Sequence, residues 1–90
     1  MAHADEAALQ HLLPLLRQLR EIKTLREMKP GIFYMKGSAF LHFHDAAGVL
    51  VADLKKAGGG GFDRYPVDTP AQQRKLVDDA KRRAARGDDD

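Results

Sequence analysis

The 90-residue chain fits one domain with a single modest core, and a domain this small buries only about 60–65% of its unfolded surface, so self-association is a natural expectation. It has no cysteine, which excludes a disulfide framework, a thiolate zinc site and a cysteine nucleophile; any metal would have to be held by His, Asp or Glu. The 15 basic and 13 acidic residues leave a formal charge of +2, too small by itself to indicate nucleic acid, and no segment approaches the roughly 20 apolar residues that span a bilayer.

Met1 to Glu6 shows no basic stretch running into an apolar one, so the expectation is a cytoplasmic protein with no membrane partner. Leu9, Leu12, Leu13, Leu16 and Leu19, then Ile22, Leu25 and Met28, recur at steps of three and four, the period of an amphipathic helix. Asp5 is placed to cap its start, and Lys29-Pro30-Gly31 to end it. Pro14 would remove a backbone hydrogen bond in mid-helix, so the spacing predicts a break near Leu13 and a regular helix from about Pro14 to Met28.

From Ile32 the period shortens to two, and aromatic and β-branched residues lie between glycine-containing turns. Four strands are predicted: Ile32 to Lys36, Ala39 to Asp45, Val49 to Leu54 and Phe62 to Val67. Gly37-Ser38 reads as a two-residue hairpin turn and Asp45-Ala46-Ala47-Gly48 as a four-residue one. Gly58 to Gly61 reads as a mobile hairpin connection; it lacks the Gly-Lys-Ser/Thr ending of a phosphate loop. Thr69-Pro70-Ala71-Gln72 then combines an N-cap, a first-turn proline and a capping-box glutamine, opening a helix that runs to about Ala85. The expected architecture is α+β: an N-terminal helix, a four-stranded antiparallel sheet and a C-terminal helix in a two-layer sandwich. Residues 1–90 form one domain with an ordered core over about 8–86, and the tail at 87–90, ending in three aspartates, is expected to be disordered.

With those turns, Ile32, Tyr34, Leu41, Phe43, Leu50, Ala52 and Leu54 share the face the helices cover. The outer face then receives Phe33, Met35, Phe40, His42, His44, Val49 and Val51, together with Asp53 and Lys55. So apolar a surface suggests an interface, and the leading expectation is a non-enzymatic interaction module that forms a homodimer through it, without a cofactor. The alternative cover for this face is the segment before Pro14.

Two further constellations carry chemistry. His42 and His44 project from one face of one strand, about 7 Å apart at the backbone, and could share a metal if a third ligand were present. Asp53 is the nearest carboxylate by topology, but the expected register sets it opposite Phe40. Nucleic acid is the other alternative partner: Arg17, Arg20 and Lys23 on the first helix and Arg82, Arg83 and Arg86 on the last could neutralise phosphates. No nucleophile–base pair is discernible, so no enzyme is expected.

The stretches Lys29-Pro30-Gly31-Ile32-Phe33-Tyr34, Phe40-Leu41-His42-Phe43-His44, Val51-Ala52-Asp53-Leu54-Lys55 and Arg64-Tyr65-Pro66-Val67 resemble those of small bacterial proteins of the conserved-hypothetical kind, a likeness that brings no activity with it. The helix–sheet–helix order and the Ala52-Asp53-Leu54-Lys55 strand are also similar to the YjbR/MmcQ group over about a third of the chain, without a diagnostic motif. That resemblance implies a frataxin-like fold and DNA binding, by analogy of fold alone.

Overall fold

A computed structural model describes residues 2–3 and 6–88 of the chain, and the side chains of residues 8–86. The elements in order are β1 (Ala2–His3), α1 (Glu6–Gln10), α2 (Leu13–Arg20), β2 (Leu25–Lys29), β3 (Ile32–Met35), β4 (Ser38–Ala46), β5 (Val49–Lys55), β6 (Phe62–Pro66) and α3 (Pro70–Asp88). Strands β2 to β6 form an antiparallel meander in sequence order, and β1 adds to β4 off this path. The α+β class is as expected, with more strands than the four read from the sequence. The Asp5 cap and the last two residues of the tail lie outside the described residues, while Gly87 and Asp88 belong to α3.

The break near Leu13 is present. Helix α1 stops at Gln10, α2 restarts at Leu13, and Pro14 therefore falls in a first turn, where its missing N–H costs no bond. The continuation to Met28 is not: α2 ends at Arg20, and Leu25–Lys29 is a strand. Two interactions account for this. The backbone of Leu25 to Lys29 finds its partners across a ladder with β3, and Glu27 takes both Nε and Nη2 of Arg20, at 2.6 and 3.1 Å, while accepting the Gly31 N–H at 3.0 Å. Seven residues along one helix are about 10 Å apart, so this bidentate pair requires the chain to double back.

The hairpin turns differ from expectation in a way that decides the faces. Met35 pairs with Ser38, so the β3–β4 turn is Lys36-Gly37, both with positive φ (54° and 83°), as a type I′ turn requires. Tyr34 then pairs with Ala39 but Phe33 with Leu41, which leaves Phe40 as the extra residue of a β-bulge. Phe40 and Leu41 are consequently both buried, and Phe33 moves to the helix side of the sheet while Ile32 and Tyr34 move away from it. On β5 the turn is Ala47-Gly48, closed by the Ala46–Val49 pair, and Gly48 N–H donates to Asp45 Oδ1 at 2.6 Å.

The core is a single cluster. Leu9, Leu12, Leu15, Leu16 and Leu19 from the N-terminal helices and Leu76, Val77, Ala80 and Ala84 from α3 pack on Phe33, Phe40, Leu41, Phe43, Ala52, Leu54 and Tyr65 of the sheet. The capping box of α3 forms as read: Gln72 Oε1 accepts the Thr69 N–H at 3.0 Å, and Thr69 Oγ1 accepts the Gln72 N–H at 3.1 Å. The glycine run is a hairpin connection, with Lys55 paired to Phe62 and the Lys56 N–H donating to the Gly61 carbonyl. No described helix is long and apolar enough to cross a membrane.

Candidate metal centre

Alternation along β4 puts Leu41 and Phe43 into the core and His42 and His44 on the other side of the sheet. The two rings lie with centroids 5.4 Å apart at 37°, and Phe62 of β6 meets His42 edge-on at 5.3 Å. The shorter β4–β5 turn slides β5 by two residues relative to the expected register. Asp53 is thereby paired with His42 instead of Phe40, and lies diagonal to His44.

His44 Nε2 and Asp53 Oδ2 are 2.7 Å apart, and Arg64 Nε on β6 donates to Asp53 Oδ1 at 3.3 Å. The side chain of His44 is 5% exposed and that of Asp53 15%. Burial alone would raise the Asp53 carboxyl; the hydrogen bonds from Arg64 and His44 outweigh it and hold that carboxyl below the usual carboxylate range. Asp53 is thus an anion at neutral pH, set against a buried imidazole. The Nδ1 atom of His44 is buried and meets no hydrogen-bond partner among the described residues. A buried polar atom in that state costs roughly 1–3 kcal/mol, so it marks a place where a ligand would be gained at little cost.

One ligand atom from each of His42, His44 and Asp53 falls within 4.8 Å of the others. Two imidazoles and a carboxylate are a donor set suited to zinc and to other divalent first-row metals. The potential third ligand beside the histidine pair is therefore Asp53. Its signal in the sequence was Ala47-Gly48, a two-residue turn that fixes the pairing.

The other expected sites fare differently. Phe33 and Phe40, at 1% and 2% exposure, are core residues, and Met35 packs against the core, so the proposed self-association face loses its aromatic half. The bulge at Phe40 is the physical reason. His42, His44, Val49 and Val51 do share the outer face, where Val49 is exposed and Val51 is buried. Of the segment before Pro14, Leu9 and Leu12 join the core on the helix side.

Among the basic residues, Arg17, Lys23 and Arg86 are exposed, but three are engaged within the fold. Arg20 holds Glu27; Arg82 holds Asp79 at 2.8 Å; Arg83 bonds Asp63, the Lys55 carbonyl and the Tyr65 hydroxyl. Arg83 is 19% exposed at its side chain, so it serves the packing of α3 on the sheet more than any outside phosphate.

Comparison with protein-family models, with curated proteins and with solved structures finds no match, so the reading of the site rests on its geometry.

Proposed function

We propose that this chain is a metal-binding protein that takes a divalent transition-metal ion at His42, His44 and Asp53. The observation that carries the reading is the convergence of three potential ligands within 4.8 Å on two adjacent strands, two of them being one residue apart in alternation and the third fixed by the β4–β5 turn. Rigid strands suit such a site, because they hold the ligands with little conformational entropy left to lose on binding. The orphaned Nδ1 of His44 and the anionic state of Asp53 support it from the electrostatic side. The ion would contribute Lewis acidity and charge at this place; the chain's own residues supply the imidazoles, the carboxylate and, through Arg64, a hydrogen bond that orients the carboxylate. The reading is of binding, and no reaction is assigned to it.

The test is zinc titration of untagged protein by calorimetry, against a variant carrying both His42→Ala and His44→Ala. One-to-one binding by the parent chain and its loss in the double variant are expected. Equal binding by the two proteins would place the metal elsewhere, and no binding by the parent chain would end the reading.

A further inference from the structure

The hairpin between β5 and β6 closes on Lys56. The Lys56 N–H donates to the Gly61 carbonyl at 3.0 Å, and the Gly59 N–H donates to the Lys56 carbonyl at 3.0 Å, which makes a four-residue turn with Ala57 and Gly58 at its centre. Gly59, Gly60 and Gly61 have positive φ, so the backbone itself calls for glycine there. Gly58 is different: its φ is not positive, and a methyl group built on it would meet nothing within 4 Å. Among the described residues, neither backbone conformation nor packing requires a glycine at this position. A side chain missing for neither reason serves the close approach of a ligand to the backbone.

Gly58 lines a cavity of about 360 Å³ between the end of the sheet and α3, a size that suits a small-molecule ligand. Met35 and Phe40 give it an apolar wall, Lys55, Lys56, Arg83 and Arg86 also line it, and no carboxylate is among its lining residues. Arg83 explains how these charges come together. Its Nη1 donates to the Lys55 carbonyl at 3.0 Å, tying α3 to the end of β5, and Arg86 follows three residues later on the same side of the helix. Arg83 is itself spent on that bond, on the Tyr65 hydroxyl and on Asp63. Lys56 and Arg86 are not so committed. Lys56 Nζ comes no closer than 3.8 Å to Asp63 Oδ1, with the two side chains 49% and 42% exposed, a pair that contributes little in water. Arg86 makes no bond among the described residues.

We propose that this cavity is a binding site for a small organic phosphate, with the phosphate dianion held by Lys56 and Arg86 at the Gly58 backbone and the apolar part of the ligand against Met35 and Phe40. Like charges lining one concavity repel one another, and a bound dianion removes that repulsion. Lysine and arginine are the side chains that recognise phosphate, one as a point charge and the other as a planar fork. The charge here comes from side chains of β5's end and of α3, so the glycine turn needs no helix behind it to attract an anion. The apolar wall is what selects an organic ester over inorganic phosphate. His42, His44 and Asp53 lie on the other side of the sheet from the buried Phe40, so the site stands independently of the metal centre.

The experiment titrates the full chain with phenyl phosphate and with inorganic phosphate by calorimetry, in EDTA so that metal plays no part, and follows backbone amide shifts by NMR. The variants are Lys56→Gln combined with Arg86→Gln, and Gly58→Ala alone; circular dichroism checks that each folds as the parent does. Phenyl phosphate should bind one to one, at least about tenfold more tightly than inorganic phosphate, with the largest shifts at Ala57, Gly58 and Gly59. The double variant should lose at least about tenfold in affinity. Gly58→Ala should lose a similar factor without any fall in melting temperature, because the backbone there accepts alanine and the methyl group meets nothing in the free protein. No binding by the parent at about 10 mM phenyl phosphate, or equal binding by the parent and the double variant, would overturn the site. Equal affinity for the two phosphates would overturn the organic ester, and undiminished binding by Gly58→Ala would overturn the close approach at that glycine. Shifts centred on His42 and His44 would place the anion on the other face of the sheet and overturn the proposal as a whole.

Discussion

Replacing Asp53 by Asn changes one oxygen to an amide and keeps the shape, so it isolates the carboxylate. In the metal-free protein that carboxylate accepts from a His44 ring whose side chain is only 5% exposed, and from an Arg64 that is 48% exposed. Hydrogen bonds to a charged group contribute about 1.5–3 kcal/mol when shielded, whereas a solvent-exposed ion pair contributes about 0–1 kcal/mol. The amide can still accept from one donor, but its NH₂ then faces the other. A destabilisation of about 2 kcal/mol follows, nearly all from the His44 side. For a domain of this size each kcal/mol moves the melting temperature by about 4–8 °C, so the loss should read as roughly 8–16 °C in EDTA. The assay is urea and thermal denaturation at pH 7.5, first in EDTA and then with zinc, where the variant should also lose about 10–100-fold in affinity. A variant that melts in EDTA within about 0.5 kcal/mol of the parent would refute the argument, since a change that small is what an unremarkable surface site gives.

A second buried pair sets the pH dependence. The Tyr65 hydroxyl donates to Asp79 Oδ2 at 2.6 Å, a bond that lowers the Asp79 carboxyl against the opposing effect of burial, with Lys75 and Arg82 adding to the lowering. A carboxyl lowered on folding contributes stability above its ordinary value near 4 and loses it as pH falls through the folded value. Tyr65→Phe should therefore cost about 2 kcal/mol at pH 7, with the gap to the parent closing in urea melts as pH drops below about 4; a gap independent of pH would count against the pair. Burial, reinforced by the bond to Asp79, pushes the Tyr65 phenol up to about 12, so its phenolate absorbance in a Tyr34→Phe background should emerge only there, and stability should fall as pH rises from about 10 through that value. Thr69→Ala removes the cap that accepts the Gln72 N–H and should cost about 1 kcal/mol in the same urea assay, with no change in zinc binding.

Local signals were legible where one short stretch carried them complete. The capping box at Thr69 and Gln72, the helix break before Pro14 and the four central strands are of that kind, because each depends on residues a few positions apart. Strand β2 was not legible. Leu19, Ile22, Leu25 and Met28 keep a three-residue step that suits a helix, and what turns Leu25–Lys29 into a strand is non-local: the ladder with β3 and the Arg20–Glu27 pair that closes over the turn. Nor could β1 be read, since two residues have no period, and its existence shows only once the end of β3 is known.

The site shows more sharply what a sequence can and cannot specify in a sheet. Side-chain faces depend only on whether a register is shifted by an odd or an even number of residues, while contacts depend on the shift itself. On β5 the turn is two residues shorter than expected, an even shift, so the expected faces of Leu50, Ala52 and Leu54 hold and only the pairs change. That change is the one that matters chemically, because it carries Asp53 from Phe40 to His42. On β3 the turn shifts the pairing by two and the bulge at Phe40 returns one, an odd total, so Phe33 and Ile32 exchange faces, and Phe33 and the bulged Phe40 become core. The histidine pair survived both errors because it lies on a single strand, where alternation alone sets the face. A cluster of potential ligands assembled across strands is thus half legible: its two histidines follow from a period of two along β4, and its carboxylate, Asp53, follows only from the Ala47-Gly48 turn.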